Sequence, residues 1–290
     1  MRRFSQFACI DWSGAQGPRQ KGIALAVCGA GDAAPQLVQP AGGWSRAAVL
    51  DWLRQQAILQ PDLLIGIDFS PSLPFDPDHG FFPGWNVAPC TGRDLWRFVD
   101  EICRSDAHFA ASSFVDHAEA SRYFRRSQGR RGDRFEGTTG AYRQVEQRCR
   151  EGGFGPAQSC FNLVGAAQVG KSSLTGMRIL NRLDGAIPLW PFEPVADTGP
   201  AIVEIYTTVA ARAAGVTGGS KIWHGLALDK ALDRLGTRPH QELSRYDDHS
   251  TDAILTAAWL RTVAATPALW SPPGLDSDLA CTEGWTFGIF

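Results

Sequence analysis

Three apolar runs, far apart in the chain, each carry a carboxylate at or near their last residue: Phe7-Ala8-Cys9-Ile10-Asp11, Leu64-Ile65-Gly66-Ile67-Asp68 and Ile202-Val203-Glu204-Ile205. Runs this short and this apolar read as buried strands. Taking an ionised carboxylate out of water without a partner costs several kcal/mol or more. Three such placements therefore call for a shared compensation, and a divalent cation held between the strand ends would supply it. A fourth acidic element follows at Asp247-Asp248-His249-Ser250-Thr251-Asp252, ahead of the helical pattern Ile254, Leu255, Ala258, Trp259 and Val263. Asp248 and Asp252 are four residues apart, and His249 and Asp252 three apart, so each pair shares a helix face.

Around these runs the chain divides into a core in two parts. Phe7 to Asp11, Gly22 to Cys28 and Gln36 to Gln39 are expected as three strands joined by tight turns. A helix starts behind Ser45, with Ala48, Val49, Trp52, Leu53 and Ile58 on one face, and ends before Pro61. Leu63 to Ile67 is the fourth strand, apolar on both faces like the centre of a covered sheet. Residues 71–198, rich in Pro, Gly, Arg and Trp, read as a large insertion with helices near 93–104 and 141–150. Regular structure resumes with a strand over Ala201 to Tyr206 and helices from Val209 to Ala214, at 220–235 and from Ser250 to Ala265. Cys281 to Phe290 reads as a closing aromatic strand. The expected units are 1–70 and 199–290 as one α/β core, a mixed sheet flanked by helices, with 71–198 inserted between the fourth and fifth core strands.

Composition narrows the function classes. Lys plus Arg is 28 against 30 for Asp plus Glu, giving a formal net charge of -2. That balance excludes a protein that coats polyanions over its whole surface, so any nucleic-acid site is local. No apolar run approaches the roughly 20 residues of a membrane span, and neither a signal peptide nor a membrane helix is expected. The seven cysteines form no Cys-x-x-Cys pair, which fits a reducing cytoplasm rather than a disulfide framework. Locally, Arg122, Arg125, Arg126, Arg130, Arg131, Arg134, Arg143, Arg148 and Arg150 outnumber Asp133, Glu136, Glu146 and Glu151. Arg125, Arg126, Arg130 and Arg131, with Lys171, are candidates to grip substrate phosphates, and the plain alternative is a solvated Arg-rich loop.

The order of elements resembles the ribonuclease H-like fold. Several words of the sequence are similar to domain-of-unknown-function family 429, described as predicted nucleases of that fold: Ile67-Asp68 followed by Ser72-Leu73-Pro74, Gln168-Val169-Gly170, Val203-Glu204-Ile205-Tyr206, Asp248 to Ala253, and Glu283-Gly284-Trp285-Thr286-Phe287-Gly288. The resemblance runs almost end to end and rests on the order of short motifs. Thr207 after Tyr206 departs from it, since a Pro is expected there. His249 to Asp252 also resembles the helix start of Holliday-junction resolvases. The resemblance implies a nuclease or phosphodiesterase using two Mg2+ or Mn2+ ions, with Asp11, Asp68, Glu204, Asp248 and Asp252 as catalytic acids. Asp11, Asp68, Asp252 and His249 are then the metal ligands, and a nucleic acid or nucleotide is the substrate.

Two rival readings stay open. Gly165-Ala166-Ala167-Gln168-Val169-Gly170-Lys171-Ser172 satisfies the phosphate-loop pattern G-x-x-x-x-G-K-[ST], and Asp11-Trp12-Ser13-Gly14 is similar to the phosphate loop of actin-like ATPases and sugar kinases. Either would make the chain an ATPase or kinase. The other rival is a binding protein that retains the acids without catalysis. The bland account of each acid is a turn for Asp11 and Asp68, an ion pair with an insertion Arg for Glu204, and a helix cap for Asp247 or Asp248.

Overall fold

The computed structural model describes residues 4–86, 89–164, 169–216 and 221–290. Six strands form one mixed sheet: β1 (Gln6–Asp11), β2 (Ala24–Gly29), β3 (Gln36–Leu37), β4 (Leu63–Asp68), β5 (Leu189–Trp190) and β6 (Ala201–Glu204), in the spatial order β3-β2-β1-β4-β6-β5. The first three are antiparallel neighbours, and β1, β4, β6 and β5 run parallel. Ten helices accompany them among the described residues: α1 (Arg46–Leu59), α2 (Gly92–Ile102), α3 (Ser112–Val115), α4 (Gln144–Glu151), α5 (Val169–Leu183), α6 (Thr207–Ala213), α7 (Gly225–Arg234), α8 (Asp248–Val263), α9 (Pro267–Trp270) and α10 (Ser277–Thr282).

Side-chain alternation sorts the strands between two cores. Ala8, Ile10, Leu25, Ile65, Ile67 and Ile202 face Val49, Leu50 and Leu53 of α1 and Leu174 and Met177 of α5. Phe7, Cys9, Ala24, Ala26, Leu64 and Val203 face Leu228 of α7 and Ile254, Leu255 and Ala258 of α8. The α1 helix starts where the Ser45 hydroxyl accepts the Ala48 N–H and stops at Gln60, in left-handed backbone just before Pro61. Gly66 lies on the α8 side, and a Cβ there would come within 2.8 Å of Leu260 Cδ1. Its missing side chain lets α8 lie close over β1 and β4, which carries the acidic start of α8 to the ends of those strands.

Three features depart from the sequence expectation, the first being that the edge strand β5 comes from within the segment 71–198 expected as an insertion. The segment 71–198 contains a 15-residue helix, α5, in a stretch read as irregular. Gly170, Gly176 and the Ser172-Ser173 pair lower its intrinsic propensity, so its existence rests on burial against α1 and α2 rather than on local preference. Through α2 and α5 this segment shares the core beneath α1. Instead of a closing strand, α10 is followed by a buried aromatic tail. Trp285 and Phe287 are fully buried, and only Thr286 forms a bridge, with Glu204.

Candidate active site

Parallel pairing places Asp11 and Asp68 directly opposite each other at the carboxyl ends of β1 and β4. In-register neighbours point to the same side, here the side covered by α8. Asp247 caps α8 by accepting the Ser250 N–H at 2.9 Å. That cap sets the helix phase, so His249 reaches Asp11, with Nδ1 2.9 Å from Oδ2. Asp252 sits one turn further in. Asp248 turns to Lys221 in an ion pair, while its Oδ1 is buried without a hydrogen-bond partner.

The acids crowd one another. Burial raises the Asp11 carboxyl above its ordinary range, against the hydrogen bond from His249. Burial, then the charges of Asp11 and Asp252, hold Asp68 well above it. Asp252 is pushed up to about 7 by burial and by Asp11, with Lys221 and His249 pulling the other way. The His249 imidazole is raised in turn, first by its hydrogen bond to Asp11. Among the described residues, Asp68 has, beyond the Thr207 backbone N–H, only a 3.5 Å contact from the Thr207 hydroxyl. Were these carboxyls all ionised, His249 and Lys221 would offset only part of their charge.

Among the described residues, no three His, Cys, Asp or Glu side chains are gathered tightly enough to cage one ion. The chemistry of the set nevertheless suits a hard cation: carboxylate oxygens with one imidazole, set at adjacent strand ends and a helix start.

Glu204 is placed differently. It pairs in register with Ile67, not Asp68, so it projects to the opposite side of the sheet, with Ile67 and Ile202. There the buried guanidinium of Arg143 meets it: Nη1 donates to Oε2 at 2.9 Å, Nη2 donates to Oε1, and Thr286 Oγ1 donates to Oε1 at 2.8 Å. Arg143 also donates to Glu146 Oε1 at 3.0 Å, to the Ser70 hydroxyl at 3.0 Å and to the Glu283 carbonyl at 3.0 Å. Glu283 spans the same junction, accepting the N–H groups of Phe75 at 2.7 Å and Gln144 at 2.6 Å. Burial pushes its carboxyl up to about 7.

A cleft of about 430 Å3 opens over this end of the sheet, lined by Ser13, Gly14, Asp68, Ser70, Arg143, Glu204, Tyr206 and Ser172 among others. A second, of about 450 Å3, reaches Asp252, Asp248, Lys221 and Thr207, and Tyr206 borders both. The two candidate phosphate loops meet beside the first cleft. A Cβ on Gly14 would lie 2.6 Å from the Ser172 backbone nitrogen, and Trp12 Nε1 donates to Thr175 Oγ1 of α5 at 3.1 Å. Gly165 to Gln168 lie outside the described residues. Gly170, Lys171 and Ser172 form the first turn of α5, and residues 160–164 before it join no sheet strand, making only a bridge from Asn162 to Arg125. A sheet strand feeding the loop, which a phosphate loop of the G-x-x-x-x-G-K-[ST] type has, is missing there.

The Arg-rich segment splits. Arg126 and Arg130 line a cleft of about 240 Å3 together with Lys171. Arg131 turns to the Gly137 carbonyl at 3.4 Å and the Phe135 ring, and Arg125 borders none of these three clefts. Arg143, Glu146, Lys221 and Glu283 are not among the site residues that the sequence points to. Arg143 reads in the sequence as one more basic residue of the insertion; in the structure its backbone N–H also donates to Glu146 Oε2 at 3.0 Å, three residues on. Comparison with known family models, curated proteins and solved structures finds no match.

Proposed function

We propose that this chain is a divalent-metal-dependent phosphodiester hydrolase, a nuclease or nucleotide phosphodiesterase on a ribonuclease H-like core. The observation that carries the reading is that Asp11 and Asp68 stand in register at the ends of adjacent parallel strands, with Asp252 of α8 near enough for its charge to act on Asp68. Strand order supports it, since β1 to β3 form the antiparallel part, β4 and β6 follow on the other side of β1, and α8 packs across β1. Asp11, Asp68 and Asp252, with His249, would hold Mg2+ or Mn2+. Bound there, such ions would supply Lewis-acid activation of water and offset the charge of the phosphate under attack. The chain's own contribution is orientation: His249 fixes one oxygen of Asp11, and the cap at Asp247 fixes His249. Glu204, held by Arg143, keeps the Ser70 turn in place beside Asp68.

Mn2+ titration followed by calorimetry tests this, together with cleavage of single- and double-stranded oligonucleotides. Wild type binds Mn2+ and cleaves a phosphodiester. Asp11→Asn and Asp68→Asn lose both, and Glu204→Gln keeps metal binding. Equal Mn2+ binding by wild type and Asp11→Asn would overturn the proposal. A nucleotide-dependent ATPase or kinase is the second reading, favoured by the contact of the Asp11 to Gly14 turn with the first turn of α5. Hydrolysis of ATP without cleavage of any oligonucleotide would select it.

A further inference from the structure

We infer that the cleft lined by Arg126, Arg130 and Lys171 is a phosphate-binding subsite beside the acidic centre. It deepens the phosphodiesterase reading and rests on it for the identity of the ligand. Two segments distant in sequence build the cleft. In the first, the Arg126 N–H donates to the Arg130 carbonyl at 2.8 Å, closing a tight loop that presents both arginines. That loop is tied to the strand-like lead into α5, since Arg125 N–H donates to the Phe161 carbonyl and Leu163 N–H to the Arg125 carbonyl, each at 3.0 Å. In the second, Lys171 comes from the first turn of α5. Gly14 and Ala15, which follow Asp11, form a wall shared with the larger cleft that contains Asp68.

The charges have little else to do. The Lys171 ammonium has no ion pair or hydrogen bond among the described residues. Among the described residues the Arg130 side chain makes only a 3.4 Å contact with the Ser127 carbonyl. Arg126 has one ion pair, Nη1 to Asp116 at 3.3 Å, with a carboxylate that is 72% exposed, and its buried Nε has no partner. Three cations against one solvated carboxylate leave the cleft positive, and the planar guanidinium forks suit a tetrahedral oxyanion. At about 240 Å3 the space is below the roughly 300–1,000 Å3 of pockets that enclose whole organic ligands. It suits one phosphate group with its ester oxygens, while the remainder of the substrate continues into the neighbouring cleft. The phosphate can come from an adjacent position of a nucleic-acid strand or from a free nucleotide.

Binding is measured in EDTA, so that the result does not depend on metal or catalysis. The probes are a fluorescein-labelled single-stranded oligonucleotide followed by anisotropy over a salt series, and ADP followed by calorimetry. For the oligonucleotide, Arg126→Gln, Arg130→Gln and Lys171→Gln each weaken binding by about tenfold. The triple variant loses about two units of the log-log salt slope, at about 0.7 per contact. Arg126→Lys, which keeps charge without the fork, falls between wild type and Arg126→Gln. If the source is a free nucleotide, the same variants weaken ADP instead. Either pattern supports the subsite. A triple variant that melts like wild type and binds both probes with unchanged affinity and slope overturns it. The hydrolase reading is scored separately, by Mn2+ binding in Asp11→Asn, so one can fail without the other.

Discussion

Replacing Arg143 by Met tests whether Glu204 is a structural acid. The guanidinium is about 1% exposed and serves Glu204, Glu146, Ser70 and the Glu283 carbonyl. Burial opposes its charge, but Glu204 and Glu146 more than compensate, and Arg143 is held well above its ordinary value. Met fills comparable volume, so the packing loss is small. The main cost is that Glu204 and Glu146, 4% and 5% exposed, lose their counter-charge. Breaking a buried pair from one side costs about 3–5 kcal/mol. In a chain of this size each kcal/mol shifts the melting temperature by about 2 °C, so a drop of roughly 6–10 °C is expected. Adding Glu204→Gln to Arg143→Met should recover part of that loss, with a coupling energy of about 2 kcal/mol in a urea-unfolding double-mutant cycle. A loss under about 1 kcal/mol for Arg143→Met, or no coupling to Glu204, would refute the account. Glu204 would then lose its explanation as a structural acid.

Asp68→Asn should raise the metal-free melting temperature at pH 8 by an amount worth more than about 1 kcal/mol, because an amide replaces a carboxyl that burial, Asp11 and Asp252 make costly to ionise. A fall would show that Asp68 is already compensated. Gly14→Ala should destabilise by about 1–3 kcal/mol, since its Cβ would meet backbone atoms of Lys171 and Ser172 that cannot swing aside. An unchanged thermal melt would mean that the turn and α5 are not in contact. Glu283 has a folded-state carboxyl raised from 4.5 to about 7, so the folded protein holds its proton more tightly than the unfolded chain. Its contribution is full below about pH 4.5 and is lost as pH rises to 7, at most roughly 3 kcal/mol in all. Glu283→Gln should flatten that part of the stability-pH curve, and an unchanged slope would assign it to other groups.

Much of the sheet was legible in the sequence. Runs such as Phe7 to Asp11 and Leu63 to Ile67 declare buried strands because period-two burial leaves a local trace, and β1 to β4, α1 and α8 lie where those traces place them. The helix α5 left a weaker trace, because Gly and Ser positions inside it hide its apolar face. The closing aromatic segment misled for the opposite reason: its apolar density reflects burial in a tail beside Glu204, and burial alone does not require a ladder.

At the candidate site the division follows the range of the forces involved. The sequence by itself determined that acids stand at the ends of buried runs and at a helix start, since those are local facts of pattern and capping. Only the tertiary structure decided which acids face each other. Asp68 opposes Asp11, while Glu204 opposes Ile67 and emerges on the other side of the sheet. A shift of one residue in strand register reverses every side chain, and register is settled by the packing of whole faces rather than by any neighbouring residue. The same holds for Arg143. Its partner Glu204 lies 61 residues away, and only folding brings that charge within reach.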